Sequence, residues 1–89
     1  MGIDEAVKLT VRAIEAGAFD DEVRKVWGVG YSPKTDAEAG RAVADKMRDM
    51  FGVETDLEHE FRGTLGPVGQ AIWDALSDRD DVLCERVFE

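Results

Sequence analysis

The sequence predicts an all-α fold: one small domain, residues 1–89, built as a bundle of four to five short helices. Apolar residues recur every three or four positions through three long stretches. Capping signals and glycines punctuate those stretches where helices should start and stop. The 89 residues are 44% hydrophobic, enough apolar material for one small core without disulfides or metals, and a compact chain of this length has a radius of gyration of roughly 12 Å.

Ile3, Val7, Val11 and Ile14 share one face of a first helix with Ala6, Thr10 and Ala13, while Asp4, Glu5, Lys8, Arg12 and Glu15 gather opposite. Gly17 stands where a left-handed C-terminal cap is wanted. Asp20 is expected to cap a short second helix, with Asp21 and Glu22 in its first turn and Val23, Val26 and Trp27 on one side. Residues 28–34 read as a loop. Ser32-Pro33 or Thr35 opens the third helix, since proline suits a first helical position and Thr35-Asp36-Ala37-Glu38 matches a capping box. Ala39, Val43, Met47, Met50 and Phe51 form its inner face, Glu38, Arg41, Asp45 and Arg48 its outer one, and Gly52 stops it.

Residues 53–62 are ambiguous. Val53, Thr55, Leu57, His59 and Phe61 alternate with charged residues, as in a strand. Yet Thr55-Asp56-Leu57-Glu58 repeats the capping-box pattern, Leu57 and Phe61 are four apart, and Gly63 can end a helix. Helix is favoured, because Asp and Glu are poor strand formers. Gly66-Pro67 begins a further helix to about Leu76, with Val68, Ile72, Ala75 and Leu76 inward and Trp73 at the margin of the apolar arc. Asp78–Asp81 is expected to interrupt it as a charged turn, with residues 82–88 forming a last helical piece. The alternative is an α+β fold in which segments 53–61 and 82–88 pair as strands.

Twenty acids against eleven bases give a net charge of −9, and ten of those acids but only three bases lie in residues 53–89. Such a balance argues against direct binding to nucleic acid or to an anionic membrane surface. The acids and bases spread through residues 4–15 leave no apolar run for a signal peptide, and no segment approaches the roughly 20 apolar residues of a membrane span. A single cysteine, Cys84, excludes an internal disulfide and fits a reducing cytoplasm, where it reads as a small hydrophobe rather than a reactive thiol.

Little points to catalysis or to a cofactor. His59 is the sole histidine; Asp56 lies three residues before it, which resembles half of a carboxylate-rich metal site, but no matching half appears elsewhere and a surface histidine is the better reading. Ser32 and Ser77 lack the setting of a nucleophile. Gly28-Val29-Gly30 and Gly63–Gly69 lack the context of phosphate loops and read as turns and caps. The expected function is therefore non-enzymatic protein binding, with no metal and no cofactor.

The partner-binding residues expected from charge and aromaticity are Glu54, Asp56, Glu58, Glu60, Asp74, Asp78, Asp80 and Asp81, together with Trp73 and Tyr31. Such a surface suits a protein with a basic face, including one that grips nucleic acid and would be inhibited when carboxylates occupy that face. Small phage-encoded inhibitors such as anti-CRISPR proteins work by this logic, an analogy of charge alone. The alternative is a helical adaptor or regulator, with a homodimer among its forms, whose acidity reflects solvation: the chain has no Asn, one Gln, eleven Asp and seven Arg against four Lys, usage that suits a GC-rich genome or salt-adapted cytoplasm. A nucleic-acid-binding helix-turn-helix would need a basic recognition face, and residues 36–51, with three bases against four acids, offer none.

Overall fold

A computed structural model describes residues 2–28, 30 and 32–87, the last four of these by their backbone alone. The expected helices form where apolar spacing and caps coincide: α1 (Ile3–Glu15), α2 (Asp20–Trp27), α3 (Pro33–Phe51), a single turn α4 (Leu57–Glu60) and α5 (Pro67–Val87). No strand occurs among the described residues, so the all-α reading holds and the 53–61/82–88 pairing does not form.

Gly17 closes α1 as expected, at φ +93°. The amide of Gly17 bonds to Ile14 O and that of Ala18 to Ala13 O, the paired bonds of a Schellman motif, which satisfy two carbonyls the helix leaves unpaired. Gly52 ends α3 at φ +65°, its amide bonded to Arg48 O. At the start of α3 the choice falls on Ser32: its hydroxyl accepts from the Thr35 amide, and the Thr35 hydroxyl accepts from the Ser32 amide, so the capping box joins Ser32 to Thr35 rather than Thr35 to Glu38.

Three expectations are corrected. Asp20 does not cap α2: it is the helix's first residue, with Phe19 in the cap position, and its carboxylate is held by Arg79. Thr55 does not cap α4, whose preceding residue, Asp56, makes no capping bond either; the Thr55 hydroxyl is buried without a hydrogen-bond partner. Asp78–Asp81 does not break the last helix, because α5 runs through it. On a helix those four side chains point in different directions, so Arg79 meets Asp20, Asp80 is buried at 8% exposure, and Asp78 and Asp81 face solvent. The final piece expected over 82–88 is thus the end of α5 as far as Val87; Phe88 lies outside the described residues.

The core joins Ala6 and Ile14 of α1, Phe19, Val23, Val26 and Trp27 of the α2 region, Ala39, Val43 and Met47 of α3, Leu57 and Phe61 around α4, and Ile72, Ala75, Leu76 and Leu83 of α5. Thr10 is also buried, its hydroxyl donating to Ala6 O at 2.7 Å, so it carries no unpaired group inward. Two residues expected inside are exposed, Met50 at 59% and Ile3 at 38%. Both overhang. Lys46 already pairs with Glu22 in the first turn of α2, at 2.6 Å, so Met50, one turn further, has passed the end of that helix. Val7 lines one hollow with Pro67 and Val68 at the start of α5, so Ile3, one turn earlier, has no α5 to cover it. Second contacts give directions: Arg79 reaches Glu15 O at the far end of α1, so α1 runs parallel to α5, and Trp27 bonds Asp36 near the start of α3, so α2 runs antiparallel to α3.

α4 lies on α3 at Gly40. A Cβ at Gly40 would clash with the Leu57 carbonyl oxygen and lie 2.7 Å from its carbon. Only glycine allows this approach, which seats Leu57 at 0% exposure, a burial that contributes about 1.5–3 kcal/mol. No helix among the described residues is long and apolar enough to cross a membrane.

Gly40→Ala would gain up to about 1 kcal/mol of helix propensity, but the obstacle is backbone and overpacking costs about 1–3 kcal/mol. The expected outcome is a net loss of stability, read as a lower urea midpoint. A second expectation concerns pH. The Lys46 ammonium donating to its carboxylate holds Glu22 below the ordinary value of 4.5, against the opposing effect of burial. A depressed carboxylate stabilises the fold above its unfolded-state pKa, and that contribution disappears as pH falls through the lower, folded one. Acid unfolding of Lys46→Met should therefore lack a contribution of a few tenths to 1 kcal/mol just below pH 4.5, measured as a smaller difference in stability between pH 6 and pH 3.

Candidate interaction surface

The structure divides the ten residues expected at the partner surface into groups with different surroundings. Asp74, Asp78 and Asp81 are exposed and spaced four and three apart on α5. At 100° per residue they fall within a narrow sector opposite Ile72, Leu76 and Leu83, which are buried. The rise between them is about 6 and 4.5 Å along the axis. Gln70 begins the same line and donates to Asp74 at 2.9 Å. Among the described residues no cation pairs with Asp78 or Asp81. Arg79, the base nearest to them in sequence, points elsewhere, both arms of its guanidinium donating to Asp20 at 2.8 Å.

Glu54, Asp56 and Glu58 are also exposed, but they line a cleft whose other wall is α3, with Arg41, Asp45 and Arg48 on it. Arg62 and His59 flank Asp56 and Glu58 on a neighbouring shallow face. Bases therefore stand beside these carboxylates. His59 is exposed, and among the described residues no group of three His, Cys, Asp or Glu side chains is placed to hold a metal.

The remaining expected residues do not join either line. Glu60 turns inward to α5: its Oε1 accepts from the Gly66 amide at 2.6 Å, and a Cβ on Gly66 or Gly69 would lie 2.8 or 2.6 Å from it. The carboxylate thus rests on the amino-terminal turn of α5, where unpaired amides and the helix dipole favour negative charge. Asp80 is buried. Trp73 is half-buried between Trp27 and Phe61, edge-on to both, with centroids 5.5 and 5.0 Å away. Trp27 itself is buried, as expected, and donates from its indole to Asp36 at 3.0 Å. Tyr31 lies outside the described residues, as does the side chain of Cys84.

Sequence reasoning missed two positioning residues. Arg79 bonds Asp20 across 59 residues of chain, and only 16% of its side chain is exposed; that bonding raises its pKa further, holding the guanidinium in its charged form. Glu60 was assigned to the surface, although the glycines at 66 and 69, three apart at a helix start, mark a place where another group comes close. No protein-family model matches the chain, and no curated protein or solved structure matches it.

Replacing Glu60 with alanine should cost about 0.5–2 kcal/mol, as the loss of other helix-start caps does. Glutamine, which keeps an acceptor but not the charge, should cost less. Urea denaturation of the two variants checks the order.

Proposed function

We propose that this chain is a non-enzymatic binding protein that docks the Asp74–Asp78–Asp81 face of α5 on a basic surface of a partner protein. The observation that carries the reading is the line of three exposed carboxylates with no described cation beside Asp78 or Asp81. Like charges four apart on a helix are destabilising by about 0.2–0.5 kcal/mol per pair. A basic partner would relieve that cost, and opposite charge would speed encounter. Among the described residues three acids pair with bases, Glu22 with Lys46, Asp45 with Arg48 and Asp20 with Arg79, and exposed acids of α1–α3 without such a pair, among them Asp4, Asp21 and Asp49, lie on helices that also carry exposed bases. Acidity serving solvation alone would not be expected to leave one helix face bare.

In its sharper form the reading takes the partner's basic surface to be the one with which it grips nucleic acid, so that binding inhibits it. The stripe offers about one charge per 5 Å of helix axis, against about one per 3.4 Å along a DNA strand. It would thus supply roughly two-thirds of a strand's charge density, enough to compete for a basic groove when the fit adds other contacts. This reading needs no cofactor and has the protein act in the cytoplasm.

Wild-type protein should capture such a partner at low salt and release it on addition of DNA or of salt. The triple variant D74K/D78K/D81K should capture none while its helical circular dichroism is retained. Capture of the same partner by that variant, with the same salt dependence, would remove α5 from the interface.

A further inference from the structure

We propose that residues 53–65, which hold α4, form a strap that opens as a unit while α1, α2, α3 and α5 stay packed. Its only helix is one turn of four residues, too short to persist once undocked. The amides of Glu60, Phe61, Arg62 and Gly63 bond only to carbonyls within the strap itself. Of the buried hydrophobic core described, the strap supplies only Leu57 and Phe61; every other member belongs to the remaining helices or the α1–α2 turn. The Thr55 hydroxyl is buried unpaired when the strap is closed and regains water when it opens.

Val53 and Leu65 pack partly buried against the core, and three closer contacts hold the strap shut. The Leu57 backbone lies on Gly40, Phe61 meets Trp73 edge-on at 5.0 Å, and Glu60 latches to the Gly66 amide over Gly69. Opening would bare Gly40 and one side of Trp73. It would also shift Glu54, Asp56 and Glu58 relative to the α5 stripe, so that the two groups of acids need not act together. The inference is independent of what the stripe binds.

Native-state hydrogen exchange tests it, provided that strap opening is distinguished from global unfolding. Glu60→Ala removes a contact absent from both the open and the unfolded states, so it should speed the amides of Glu60, Phe61 and Gly63 about tenfold; Glu60→Gln should speed them less. The deciding variant is Ile14→Val, in the α1 core away from the strap. It destabilises the closed and strap-open states alike relative to the unfolded one. Amides exchanging through global unfolding, taken at Val43 and Leu76, should speed about threefold to tenfold, while the strap amides keep their wild-type rates. Strap amides that follow Val43 and Leu76 under Ile14→Val, or that ignore Glu60→Ala, would overturn the proposal.

Discussion

The bidentate pair between Arg79 and Asp20 sets the rotational phase of α5, and the character of the surface depends on that phase. Both carboxylate oxygens of Asp20 are engaged at 2.8 Å, and a third contact, longer at 3.4 Å, runs from the same guanidinium to Glu15 O at the end of α1. A fork of this geometry defines a direction, which a lysine in the same place could not do as well. With Arg79 fixed on the α1–α2 turn, its neighbour Asp80 is carried into the interior and Asp78 and Asp81 are carried outward. Desolvation offsets much of the attraction within such a pair, so what it adds is chiefly geometric. Here the arrangement specified is which carboxylates reach solvent.

The acids of residues 53–89 consequently do not behave as one population. Some serve the fold, Glu60 at the start of α5 and Asp80 inside the bundle. Glu54, Asp56 and Glu58 share a cleft with Arg41 and Arg48 of α3, where part of their field is cancelled at short range. Asp74, Asp78 and Asp81 stand on a rigid helix face with their field largely intact. A net charge of −9 spread evenly would speak mainly of solubility. The same charge, partitioned this way, concentrates its effect on one element.

Much of the fold was legible because its determinants are local. The Ile3–Ile14 spacing, the left-handed caps at Gly17 and Gly52 and the proline at position 33 each act within a turn or two of the chain, and each helix they mark is present. What was misread depends on distant partners. Asp78–Asp81 has the composition of a charged turn until Arg79 finds Asp20 on another helix, and the Thr55 capping pattern goes unused because α4 is placed by Gly40 rather than by its own cap. Met50 and Ile3 have the right periodicity but sit where the neighbouring helix has run out, a matter of relative helix length that no single segment encodes. The candidate surface was half legible for the same reason: helical spacing places Asp74, Asp78 and Asp81 on one side, while the diversion of Glu60 and Asp80 is tertiary.

The edge-on cluster of Trp27, Trp73 and Phe61 has an optical consequence. Two indoles 5.5 Å apart and steeply inclined to each other are close enough for their electronic transitions to couple, so their near-ultraviolet dichroism and emission belong to the pair rather than to either ring. Because both tryptophans of the chain are in that pair, and Phe61 closes one side of it, the protein carries an unlabelled spectroscopic gauge at the junction of three of its segments.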